Sequence, residues 1–260
     1  MPKNLFKIIL PLILTAFLLT PALADPEDKP DPAQELFAQG VALLTQGNAA
    51  QAVEKFNEAL KLNGKMVEAY INRGIAELKL EQYAEAVGDF DKALELAPDS
   101  PEAYYNRALA YSRSGLYDKA AEDYTRALKR SPKDWQLYYN RGNAYLDLGK
   151  VKEALKDYHR ALKLHPETPE ILHNRSLAYL HLGKPDQALE DSLAVLELNP
   201  NYARAYYSQA QALEKLDRKY AAIAAYRQFL KSANPETDEA LLKQSLERLK
   251  SLEGAASSKQ

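Results

Sequence analysis

The 260-residue chain contains no cysteine. That excludes disulfides, thiolate nucleophiles, cysteine-bound metal and lipid attachment through sulfur. Sequences of the form HExxH, GxSxG or a glycine-rich phosphate loop are also missing, so the common metal-hydrolase, serine-hydrolase and nucleotide-binding signatures have no foothold. No block of positive charge stands out, and the formal net charge is −2. Nothing in that balance draws the chain to nucleic acid or to an anionic bilayer. Beyond residue 24 no apolar run approaches the roughly 20 residues that a membrane span requires.

The amino terminus has a different composition. Lys3 and Lys7 precede the apolar stretch 8–20, and Ala22-Leu23-Ala24 stands before Asp25. A positive start, a short apolar run and a small-x-small triplet make residues 1–24 a signal peptide cleaved after Ala24. Pro11 interrupts the run and Pro21 ends it, which argues against a retained anchor. Export to the bacterial periplasm is the first expectation and secretion the second, with a soluble mature chain and no stable membrane insertion after cleavage. Loss of the two lysines takes the net charge from −2 to about −4. Residues 25–32 read as an acidic, proline-rich leader.

What fills the rest is a period. Six blocks of 34 residues align, at 33–66, 67–100, 101–134, 135–168, 169–202 and 203–236. Small residues recur at the eighth place (Gly40, Gly74, Ala108, Gly142, Ser176, Ala210) and at the twentieth (Ala52, Ala86, Ala120, Ala154, Ala188, Ala222). The twenty-fourth place is large in five blocks (Phe56, Phe90, Tyr124, Tyr158, Tyr226), with Ser192 the exception. Pro98, Pro132, Pro166 and Pro200 close four blocks. Each block holds two stretches with apolar residues at helical spacing, separated by turn residues such as Gly115 and Gly149. Small residues let two helices approach, and the large one fills the gap left between them.

This small-small-large-proline pattern resembles the tetratricopeptide repeat. The resemblance implies an all-α, right-handed superhelical solenoid of six helix hairpins, because one hairpin cannot bury its own face and neighbours must stack. Residues 237–253 form an amphipathic helix in which Leu242, Leu246, Leu249 and Leu252 are expected to cover the last hairpin. Gly254 is expected to end it, leaving 254–260 as a disordered tail.

Comparing blocks separates structural positions from candidate binding ones. Arg stands at the seventh place of blocks two to five (Arg73, Arg107, Arg141, Arg175), and Asp at the twenty-third place of the same four (Asp89, Asp123, Asp157, Asp191). Blocks one and six lack both. The seventh place faces the partner helix, where a guanidinium needs a carboxylate of matched geometry. These eight residues are therefore read as structural ion pairs, formed within a repeat or across to the next.

Asn at the sixth place (Asn72, Asn106, Asn140, Asn174) falls on another arc, shared with the second, fifth, ninth, twelfth and thirteenth places. By resemblance that arc lines the concave groove, where an amide matches the donor and acceptor of a peptide backbone. Other members of the family hold substrate peptides with such ladders. The plainer alternative is that each Asn packs on the next repeat and bonds its own backbone. Tyr105, Tyr139, His173 and Tyr207 at the fifth place, with Asn143 at the ninth, complete the candidate groove. Acids at the second place (Glu68, Glu102, Glu170) and bases at the thirteenth (Lys79, Arg113, His181, Lys215) fit helix-dipole complementarity better than peptide steering. A carboxylate clamp of the chaperone-binding kind is not expected, because the fifth place is aromatic where that clamp uses lysine.

The four histidines offer no metal site by spacing, and no catalytic carboxylate pair stands out. The expectation is a non-catalytic scaffold or adaptor without cofactor or metal, holding an extended protein or peptide segment. The alternative is a structural protein that self-associates as a homodimer through the plainer face of block one.

Overall fold

The computed structural model describes residues 31–257. The signal peptide and nearly all of the 25–32 leader lie outside the described residues. Among those described, every regular element is an α-helix, and thirteen follow one another along the chain. The chain divides into two compact units at Pro132 and Lys133.

The first unit contains α1 (Pro32–Thr45), α2 (Ala49–Leu62), α3 (Val67–Lys79), α4 (Tyr83–Leu96), α5 (Pro101–Arg113) and α6 (Tyr117–Arg130). The second contains α7 (Trp135–Asp147), α8 (Val151–Leu164), α9 (Pro169–His181), α10 (Pro185–Leu198), α11 (Ala203–Lys215), α12 (Lys219–Ser232) and α13 (Pro235–Ser257). The helices pack as consecutive antiparallel pairs, α1 on α2 through α11 on α12. Within each unit the second helix of a pair also packs on the first helix of the next.

Local chemistry sets these boundaries. From block two onward, first helices begin at the first place and second helices at the seventeenth. Proline opens α5, α9 and α10, where its missing N–H costs nothing. Ser100 Oγ accepts from the Ala103 amide at 3.2 Å, and Asp134 accepts from that of Gln136 at 2.9 Å. The turn inside each hairpin requires a left-handed residue at the fifteenth place. Gly47, Gly115, Gly149 and Gly183 supply it, while Glu81 and Asp217 adopt φ of 60° and 56°, paying a steric cost that glycine avoids.

In the first, second and fourth hairpins the core is a ring seated on a missing side chain. Phe90 is fully buried, and a Cβ on Gly74 would stand 2.7 Å from its ring. Tyr158 meets Gly142 in the same way.

The last helix departs from expectation at both ends. It begins two residues early, at Pro235, and runs through Gly254 to Ser257. Leu252 is buried, but Leu246 is 48 % exposed and does not join the cap. Polar contacts fix the helix's rotation instead. Arg204 Nε donates to Asp238 Oδ1 at 2.7 Å, Tyr207 Oη donates to Gln244 Oε1 at 2.9 Å, and Arg248 pairs with Glu214. Arg204, which only interrupts an acidic row in the sequence, is thus an anchor for α13.

Candidate functional site

In the first unit the sixth-place amides sit on α3 and α5. Asn72 Nδ2 donates to the Glu68 carbonyl at 2.8 Å, and Asn106 Nδ2 to that of Glu102 at 3.0 Å. This is the i−4 back-bonding that a mid-helix asparagine favours. It uses one N–H of each amide and leaves the carboxamide oxygen as an acceptor. Asn72 is half-buried, whereas Asn106 is 9 % exposed. Tyr105 is half-buried, and its ring meets Tyr124 edge-on at 6.0 Å. Around them Glu68, Glu102, Lys79 and Arg113 are exposed.

The second unit treats the same places differently. Tyr139, Asn140, Asn143, His173 and Asn174 are all buried, and three of them are joined in one network. Asn143 Oδ1 accepts from Tyr158 Oη and from Asn174 Nδ2, each at 2.8 Å. Asn174 Nδ2 also lies 3.2 Å from Tyr139 Oη. The amide of repeat five therefore binds side chains of repeat four rather than presenting itself to solvent. Burial pushes the Tyr139 hydroxyl up to about 12. Burial, then the nearby Arg204 charge, brings His173 down to about 4. The ring stays neutral at physiological pH and rests against Tyr202, 5.2 Å between centroids. Tyr207 is half-buried and occupied with Gln244 of α13.

Replacing Asn143 with leucine removes the acceptor of two donors while keeping the branched outline of the side chain. The expected result is a loss of about 1–3 kcal/mol in stability, read from urea unfolding followed by circular dichroism. A value near zero would mean that the network contributes nothing net.

All four Arg–Asp pairs form within a repeat, settling the choice that the sequence leaves open. Arg73 Nε and Nη2 reach the two oxygens of Asp89 at 2.6 and 2.5 Å. The same fork joins Arg107 to Asp123, Arg141 to Asp157 and Arg175 to Asp191, between 2.6 and 2.8 Å. In repeats three and four tyrosines at the fourth and eleventh places clamp the guanidinium, while Arg73 keeps only Tyr70 and Arg175 only Tyr179. Arg141 lies 5.8 Å from the ring centroids of both Tyr138 and Tyr145. The remaining arm of Arg73 donates to Asn57, and that of Arg107 to Asp91, both at 2.5 Å. Each therefore also ties its repeat to the one before. The signal for this was available at the twenty-fifth place. Asn57, Asp91, Thr125 and His159 precede repeats with the arginine, and Leu193 precedes the repeat with Gln209.

Among the described residues no cluster of three His, Asp or Glu side chains could hold a metal ion. No helix among them is long and apolar enough to cross a membrane. His159 bonds the Leu155 carbonyl and Tyr179 Oη, and His165 bonds Thr168 and stacks on Trp135, so two of the four rings serve packing.

A family model described as tetratricopeptide repeat matches residues 19–66, 37–101, 71–135, 105–169, 139–194 and 173–237. Among curated proteins none matches the chain. Several solved structures are similar. MamA from Desulfovibrio magneticus RS-1 is 23 % identical, with a TM-score of 0.64, over 67 % of this chain and 99 % of its own. YrrB, described as a TPR protein with an unusual peptide-binding site, is 25 % identical, with a TM-score of 0.63, over 74 % of this chain and 98 % of its own. A tetratricopeptide repeat protein from Parabacteroides merdae is 18 % identical, with a TM-score of 0.69, over 87 % of this chain and 93 % of its own.

Proposed function

The chain belongs to the tetratricopeptide repeat family, and from that premise we propose that it is a non-catalytic adaptor of the bacterial cell envelope. It holds an extended protein segment against the face formed by its first helices. The fold is a protein-interaction scaffold, and the similar YrrB carries a peptide-binding site of its own. The observation that carries the reading is the state of the first unit's face. Asn72 keeps a carboxamide oxygen and a second N–H beyond its helix bond, and Tyr105 keeps part of its ring at the surface. That pair offers polar capacity for a backbone beside an amphipathic ring for a side chain.

In the second unit Tyr139, Asn143 and Asn174 bond one another, Tyr207 bonds α13, and Asn140 and His173 are buried, so binding centres on Asn72, Tyr105 and Asn106. Envelope location rests on the signal-peptide pattern of residues 1–24. The non-catalytic reading rests on the missing motifs, on the packing contacts of His159 and His165 and on the burial of His173.

The test is in-cell crosslinking followed by mass spectrometry, comparing the wild type with Asn72→Ala, Tyr105→Ala. The double variant should lose roughly tenfold or more in partner recovery, as expected when central contacts are truncated. Helicity and melting should hold. Undiminished recovery would overturn the groove reading, and recovery of cytoplasmic partners alone would overturn the envelope reading.

A further inference from the structure

Repeats three to five place a tyrosine at the eleventh place (Tyr111, Tyr145, Tyr179), and each lies within 6 Å of its repeat's arginine. Repeat two has Glu77 there instead. Glu77 is only 8 % exposed, and its Oε2 is buried without a hydrogen-bond partner. Its neighbour Asp89, 5 % exposed, already has both oxygens held by Arg73. Two buried carboxyl groups therefore share one guanidinium, whose third arm goes to the neutral amide of Asn57 on α2.

Two buried carboxylates beside a single positive charge cannot both ionise cheaply. We propose that the Glu77–Asp89 carboxyl pair is a proton-dependent latch, closing the α3–α4 hairpin when Glu77 is protonated and loosening it when Glu77 ionises. Protonated Glu77 has an O–H to give to the Asp89 carboxylate. Ionised Glu77 puts a second anion against Asp89 with no further cation to answer it. The charged groups acting on Glu77 are Arg73 on its own helix and Asp89 and Glu85 from α4. Glu85 opposes ionisation as Asp89 does, and Arg73 alone favours it.

Burial, then Asp89, raises the Glu77 carboxyl to about 7. A carboxyl raised on folding stabilises the fold fully below its unfolded value. That contribution is lost as pH rises towards the folded value and is gone above it. The window therefore runs from about 4.5 to 7, within reach of ordinary environmental change. His173, in the other unit, acts in the opposite sense. Its lowered folded value favours the fold above about 6.5, a contribution lost as pH falls towards 4. The readout must therefore be local to α3 and α4. The latch requires nothing of the ligand-binding face, although α3 also carries Asn72.

The experiment is hydrogen exchange of the mature chain from pH 5 to 8.5, corrected for intrinsic rates, comparing amides of α3 and α4 with those of α5 and α6. In the wild type, opening of α3–α4 should increase about tenfold or more across that range. Glu77→Gln should flatten the profile. So should Glu77→Tyr, which places there the residue that repeats three to five use and guards against a folding defect of the first variant. A flat wild-type profile overturns the latch, and so does a slope that both variants reproduce.

Discussion

Asp157→Ala should destabilise the second unit by about 3–5 kcal/mol, the cost typical of leaving one member of a buried ion pair uncompensated. The side chain of Arg141 is 17 % exposed and that of Asp157 6 %, so neither charge is well hydrated in the fold. The carboxylate takes two parallel bonds from the guanidinium, at 2.7 and 2.8 Å, a geometry a lysine could not reproduce. With the carboxylate gone, Tyr138 and Tyr145 still hold the guanidinium against the α7–α8 hairpin, and water must enter or the helices must part. Replacing both partners with apolar residues of similar volume should cost much less than either single change, because no orphaned charge remains. Denaturant unfolding of Asp157→Ala, Arg141→Met and a variant carrying Arg141→Met with Asp157→Leu measures the comparison. A loss below about 1 kcal/mol for Asp157→Ala would place the pair among solvent-screened surface bridges. The substitution lies in the second unit, outside the ligand face of the first, so partner recovery should be unchanged at temperatures where the variant is folded.

The sequence discloses this pair because repetition acts as an internal control. Arg and Asp appear together in four blocks and vanish together in two, and only a shared contact explains that. The helices are legible for a similar reason. The small and large residues that make each hairpin pack recur at fixed places, and the observed helices start at the same place in block after block.

Side-chain fate is another matter. A helical wheel gives direction but not depth, so Asn72 and Asn174 look equivalent until the structure separates them. The difference lies in the preceding repeat. Its ninth place is Val41 ahead of Asn72 and Ile75 ahead of Asn106, which offer an amide nothing. It is Asn143 ahead of Asn174, which draws the amide across. Asn143 is one of only two polar residues at that place, a cue that reads as groove chemistry until Tyr158 is seen donating to it. The end of α13 lies beyond Gly254 for a simpler reason. Glycine weakens a helix without ending it when alanines follow and no turn is required.

The second large effect concerns the socket between ring and glycine. Phe90→Ala should cost the first unit about 3–5 kcal/mol, the usual range for deleting a buried ring. Phe90 is fully buried beside Ala86, Ala93 and Ile71, so the site has no exposed side from which it can collapse. Gly74 makes the prediction sharper. Its Cβ would stand 2.7 Å from the Phe90 ring, too close while the ring is present and unobstructed by it once the ring is gone. Gly74→Ala alone therefore forces the ring to shift, against the gain of up to about 1 kcal/mol that alanine brings to a helix interior. Added to Phe90→Ala, the same substitution fills part of the cavity and gains helix propensity together. It should then recover about 1 kcal/mol or more. The coupling between the two changes in a double-mutant cycle should be favourable by about 0.5–3 kcal/mol, as for residues in direct contact. Repeat three provides the natural comparison, since Ala108 already faces Tyr124 there and both are fully buried. If Gly74→Ala and Phe90→Ala combine additively, the helices of repeat two are free to move apart as well, and the glycine is not what sets their separation.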